Sequence, residues 1–130
     1  MITTNIIKTL IIEVSKQSVR LISSTIKSTF PDFEVVGVSN NLSDGLMQIE
    51  SLQPNLIFLN FDLTGFNNHN QLDLIFNYRI PVIFISKHSQ HAQYAIKYSP
   101  IDYLVYPVSH TDLNQALEKV EKNQILNSLK

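Results

Sequence analysis

Several apolar runs in this chain end in residues that could do chemistry: Glu13 after "IIKTLII", Asn60 after "NLIFL", Ser86 after "PVIFI" and Tyr106 after "DYLV". Asp62 follows Asn60 by two places. A carboxylate at a strand tip can act as a nucleophile or ligate a hard cation, whereas an amide is no carboxylate nucleophile and brings no charge to a metal. The pair Asn60 and Asp62 therefore poses a choice between an idle amide and a working acid. The usual phosphate cradles are missing: no GxGxxG follows the first run, and neither GxxxxGK[ST] nor a GxSxG nucleophile elbow occurs. His88 and His91 stand three apart, a spacing that can supply two zinc ligands, but there is no Cys and no third His is placed to help. They read as solvated helix residues, as do the isolated His69 and His110.

The elements that must position these residues follow from periodicity. Segments 6–14, 34–39, 55–60, 81–86 and 102–106 are apolar and rich in β-branched or aromatic residues, the pattern of strands buried in a parallel sheet. Between them, Val19, Ile22, Ile26 and Phe30 keep helical spacing up to Pro31, and Leu46, Ile49 and Leu52 do so before Pro54, with Ser43 placed as an N-cap. Leu72, Ile75 and Phe76 mark a third, short helix, and Ala92, Ala95 and Ile96 mark a fourth. Ser109 and Asp112 form an acidic capping box ahead of Leu113, Ala116, Leu117 and Val120. Five alternations of strand and helix predict an α/β fold, a parallel sheet with helices on both faces. Ligands in such a fold sit at the carboxyl ends of the strands, here Glu13, Val14, Ser39, Asn60, Asp62, Ser86, Lys87, Tyr106 and Pro107.

Bulk properties narrow the setting. With 130 residues, 44% of them hydrophobic, the chain can bury one core as one domain. A formal charge of −1 supplies no basic field for direct nucleic-acid binding. The absence of cysteine, of a signal-peptide pattern and of any apolar run near the roughly 20 residues that span a bilayer predicts a cytoplasmic protein without membrane contact.

"FEVVGVSNNLSDGLMQIESLQPNLIFLN" (33–60) and "IPVIFISKHSQHAQYAIKYSPIDYLVYPVSHTDLNQALEKV" (80–120) resemble the receiver domains of two-component response regulators, of the kind that precede LytTR-type DNA-binding domains. The resemblance covers residues 6–122. It implies a flavodoxin-like (βα)5 fold with strand order 2-1-3-4-5, a regulatory role and no enzyme activity of its own. In such receivers an acidic pair ends the first strand and a phosphoacceptor aspartate ends the third, together holding Mg²⁺. A Ser or Thr on strand four and a Lys on strand five hold the phosphoryl group.

Carried over position by position, the resemblance implies a degenerate site. Glu13 and Val14 occupy the acidic pair, Asn60 the phosphoacceptor position, and Tyr106, ahead of Pro107, the lysine position. Thr64 replaces the usual proline before Gly65. The formal charge of the site drops to the single −1 of Glu13, expected to play a hydrogen-bonded or solvated structural part; as a metal ligand it is a weak candidate. Ser86 matches the hydroxyl and Tyr103 the aromatic that moves with it, so the switch parts remain. The expectation is a pseudo-receiver, not phosphorylated at Asn60 and without cofactor. It would signal by homodimerisation or protein binding through helix four, strand five and helix five, with Tyr94 and Tyr98 on that surface. The alternative is a functional phosphoacceptor, phosphorylated by a histidine kinase, that uses Asp62 or an atypical Mg²⁺ geometry; against it, Asp62 reads as a solvated loop carboxylate. Residues 1–122 form the receiver-like domain, and 123–130 a helix end or linker towards an output domain.

Overall fold

The computed structural model describes residues 6–64 and 69–128, without the side chains of His69 and of 125–128. Gly65 and the last two residues lie outside the described part. Five strands, β1 (Ile7–Ile12), β2 (Phe33–Ser39), β3 (Leu56–Asn60), β4 (Val82–Ser86) and β5 (Asp102–Val105), form one parallel sheet in the order β2-β1-β3-β4-β5. This is the flavodoxin-like arrangement, whose strand order reverses between β1 and β3. The helices are α1 (Lys16–Thr29), α2 (Leu42–Leu52), α3 (His69–Phe76), α4 (Ala92–Ala95) and α5 (His110–Ser128). None of them, among the described residues, is long and apolar enough to cross a membrane.

The pleat divides the apolar residues between two layers. Ile7, Ile11, Phe58, Ile83 and Ile85 face α1 and α5, packing with Ile22, Ile26, Leu113, Leu117 and Val120. Leu10, Ile12, Ile57, Leu59, Val82 and Phe84 face α2, α3 and α4, against Ile49, Leu72, Ile75 and Ala95. Every residue of β3 and of β4 is buried, so these strands read as continuous apolar runs. At roughly 1.5–3 kcal/mol per buried Leu, Ile or Phe side chain, the two layers together drive the fold. The α2 backbone comes close to β1: a methyl at Gly45 would stand 2.7 Å from Ile12 Cδ1, closer than carbon atoms tolerate.

Two local expectations fail. The cap of α2 is Asn41, not Ser43: its side chain accepts the Asp44 N–H at 2.8 Å, and Ser43 already lies inside the helix. Asn41 caps better because its extended backbone aims the amide oxygen at the first free N–H groups. The fourth helix has only four α residues, flanked by 3-10 turns at Ser89–His91 and Ile96–Tyr98. The tighter winding turns Ile96 outward to 73% exposure, while Ala95 stays in the core. Ser109 does cap α5, its hydroxyl accepting the Asp112 N–H at 3.1 Å, and α5 continues unbroken past residue 122 to Ser128.

Candidate functional site

The carboxyl ends of β1, β3, β4 and β5 bring Glu13, Asn60, Ser86 and Tyr106 to one edge of the sheet. Glu13 is buried at 4% exposure just beyond β1. Its Oε1 accepts the Ser15 N–H at 3.0 Å; its Oε2 is buried without a hydrogen-bond partner. Burial pushes the Glu13 carboxyl above its usual range, aided by the negative charge of Asp62. The Ser15 N–H, the nearby Asn60 amide and the Lys87 charge oppose that rise. The amide favours the ionised form without completing a well-formed hydrogen bond to Oε2. Val14, by contrast, is 57% exposed and presents only alkyl surface.

Asn60 works on its own loop. Its amide oxygen accepts the Asp62 N–H at 2.8 Å and opens the 3-10 turn Phe61–Leu63, which Thr64 closes by donating to the Phe61 carbonyl at 2.6 Å. The turn folds Asp62 back over the tip of β4. Asp62 Oδ1 accepts the Ser86 hydroxyl at 2.6 Å, and Oδ2 accepts the Lys87 N–H at 2.9 Å. His91 Nδ1 stands 3.7 Å from Oδ1. The expected solvated loop carboxylate is thus a half-buried hydrogen-bond hub, because the Asn60 side chain sets a turn that the sequence pattern does not announce.

Ser86 is 1% exposed. Its hydroxyl proton has two acceptors in reach, Asp62 at 2.6 Å and the His88 carbonyl at 3.4 Å, and the shorter, charge-assisted bond takes it. The same oxygen accepts the His88 N–H at 2.9 Å. Tyr103 Oη donates to the His88 carbonyl at 2.8 Å, and its ring meets Phe61 and Phe84 edge-on. Desolvation pushes the Tyr103 hydroxyl up, which keeps it a donor.

Tyr106, at the position resembling the lysine, is joined to Pro107 by a cis peptide bond, and its hydroxyl donates to Gln17 Oε1. A cation nevertheless reaches this end of the site: Lys87 Nζ lies 5.9 Å from the Tyr106 ring centroid and draws the Glu13 carboxyl down. The site therefore contains Glu13, Asp62 and Lys87, which corrects the expected single negative charge. The sequence places Lys87 among the strand-end residues but assigns it no partner, because its place beside Ser86 says nothing of its reach toward Tyr106.

Elsewhere, the His88 and His91 rings are 4.5 Å apart, and His91 is half-buried beside Asp62, not solvated. Among the described residues no group of three or more His, Cys, Asp or Glu could hold a metal ion. Tyr94 is 46% exposed, but Tyr98 is half-buried and stacked on Phe76 at 4.9 Å, because the 3-10 turn breaks the i, i+4 relation. Ile96, Tyr94 and Val105 are the exposed large apolar residues of α4, its following turn and β5.

No family model matches the chain. It is 32% identical over 121 residues to the transcriptional regulatory protein CitB of Klebsiella pneumoniae, covering 87% of this chain and 50% of that protein. It is 31% identical over 103 residues to the nitrate/nitrite response regulator NarL of Escherichia coli K12, covering 76% and 48%. The chain thus spans about half the length of the curated relatives it matches. Among solved structures it resembles the receiver domain of AraT, a response regulator from Geobacillus stearothermophilus, with a TM-score of 0.81 at 19% identity over 96% of this chain and 99% of that one. The chain thus has the receiver fold and is similar in sequence to two-component response regulators over about half of their length.

The Mg²⁺ implied by such receivers does not suit the donors present. The Val14 side chain offers no oxygen, the Asn60 oxygen is turned to the Asp62 N–H, and both Asp62 oxygens are engaged at β4. That leaves Glu13, one carboxylate for a cation that needs several oxygen ligands.

Proposed function

We propose that this chain is a pseudo-receiver, a regulatory domain that works without phosphoryl transfer at the usual position. The observation that carries the reading is Asn60. It holds the position that resembles the phosphoacceptor, it is 9% exposed, and its amide oxygen is committed to the Asp62 N–H. An amide cannot form an acyl phosphate by nucleophilic attack. Val14 and Tyr106 support the same reading from either side, since the Val14 side chain has no oxygen for a metal ion and Tyr106 carries no positive charge to meet a phosphoryl group.

Signalling then rests on the α4–β5–α5 face, through a second copy of the chain or a protein partner. Tyr94, Ile96 and Val105 supply exposed apolar and aromatic area there, the composition that favours protein contacts. By the resemblance of segments 33–60 and 80–120, the controlled output is a LytTR-type DNA-binding domain, approached through the last turns of α5 after residue 122.

The test is incubation with acetyl phosphate and Mg²⁺, followed by intact mass. No mass gain is the expected result. A gain of one phosphoryl group that disappears in Asp62→Ala would overturn the reading in favour of an active phosphoacceptor.

A further inference from the structure

The tip of β4 offers two consecutive hydrogen-bond donors, the Ser86 hydroxyl and the Lys87 backbone N–H, that converge on the two oxygens of one carboxylate at 2.6 and 2.9 Å. A hydroxyl and an adjacent N–H presented this way form an oxyanion site, and the Lys87 side chain adds positive charge at the same end of the sheet. Here the anion belongs to the chain itself. Asn60 fixes it by holding the Asp62 N–H at 2.8 Å, so the residue that cannot accept a phosphoryl group positions one that fills its place.

The bonds continue past the carboxylate. Ser86 Oγ receives the His88 N–H at 2.9 Å, and the His88 carbonyl receives the Tyr103 hydroxyl at 2.8 Å. His91, in the turn that leads into α4, places Nδ1 3.7 Å from Asp62. One carboxylate thus ties the loop after β3 to the start of α4 and to β5.

We propose that Asp62 is an internal anion ligand that occupies the oxyanion site of Ser86 and Lys87 and holds the β4–α4 connection and Tyr103 in one arrangement. This rests on the pseudo-receiver reading and adds its regulation: the conformation of the α4–β5 surface is set by a residue of the chain, with no external phosphate. It follows that an outside oxyanion must displace Asp62 to bind.

The experiment uses the full chain labelled with ¹⁵N, titrated with sodium phosphate against sodium chloride at matched ionic strength. Wild type is expected to show no saturable shift at the Lys87 and His88 amides. Asp62→Ala is expected to move the amides of His88, His91 and Tyr103 without phosphate. It should then bind phosphate at Lys87 and His88 at least about tenfold more tightly than wild type, returning those signals toward their original positions. Ser86→Ala, which keeps the carboxylate, provides a second variant should Asp62→Ala not fold, and is expected to move the His88 and Tyr103 amides as well.

Shifts confined to residues 60–64 in Asp62→Ala, unmoved His88 and Tyr103 amides in Ser86→Ala, or equal phosphate affinity in wild type and Asp62→Ala would each overturn the proposal. A parallel wild-type sample with acetyl phosphate and Mg²⁺, weighed intact, keeps the two readings apart. A mass gain there removes the pseudo-receiver reading, whereas the shifts alone decide whether Asp62 is coupled to Tyr103.

Discussion

Removing the Ser86 hydroxyl and the Asp62 carboxylate, singly and together, measures how strongly the two are coupled. Their 2.6 Å bond is an O–H to carboxylate bond, a class worth roughly 1.5–3 kcal/mol. Two features reduce that figure. The Asp62 side chain is 25% exposed, so water partly replaces a lost donor, and in Asp62→Ala the Ser86 hydroxyl can rotate to the His88 carbonyl 3.4 Å away. The expected coupling is therefore about 1–1.5 kcal/mol, with each single change costing about 1–2 kcal/mol. The chain has no Trp, so urea unfolding is best followed by far-UV circular dichroism. With a slope near 1–1.5 kcal/mol per molar for a small domain, each single variant should lower the midpoint by about 1 M. Additive variants, with coupling below about 0.5 kcal/mol, would show that the contact contributes nothing and would refute the reasoning about Asp62 as a hub.

Because the folded state raises the Glu13 pKa above 4.5, the native protein holds more protons than the unfolded chain between the unfolded and the raised folded value, so this group makes stability fall as pH rises through that window and adds no slope above it. Glu13→Gln should flatten that slope in denaturation midpoints measured from pH 4 to 8; an unchanged slope would count against the burial argument. Asn60→Asp places a third carboxylate beside Glu13 and Asp62 at a 9% exposed position, and should lower stability at pH 7 by about 1–3 kcal/mol, relieved on acidification. Ile96→Glu, at a 73% exposed position, should leave the unfolding midpoint within about 0.5 kcal/mol of wild type but abolish self-association by sedimentation if the proposed α4–β5–α5 face is used. Persistent dimers in that variant would move the interface elsewhere.

The sheet was legible because β3 and β4 are buried on both faces, which forces apolar runs that no helix spacing imitates. The helix α5 was legible from Ser109 and the apolar spacing behind it. Hydrophobic spacing alone could not show that α4 tightens into 3-10 turns, since Ala92, Ala95 and Ile96 fit an ordinary helix until Ile96 faces solvent. In the site, the residue types at 13, 14, 60, 86 and 106 could be read directly. What they do to one another could not. Asp62 looked like a loop acid because its partners, Ser86 and Lys87, are more than twenty residues away and meet it only through the Asn60 turn. Lys87 was hidden for a similar reason, as its nearness to the Tyr106 ring depends on the pairing of β4 with β5.

The brevity of α4 has a consequence of its own. Four α residues between two 3-10 turns contain too few i→i+4 bonds to define an axis, so the segment takes its bearing from what it leans on. Its supports are the Ala95 side chain in the core, the Tyr98 ring on Phe76, and the turn beside Asp62. It behaves like a sign on three pegs: loosening one peg tilts the whole sign without bending it. The amides of 89–98 should accordingly exchange with solvent sooner than those of β3 and β4, the mark of a surface that can be re-aimed while the sheet beneath keeps its shape.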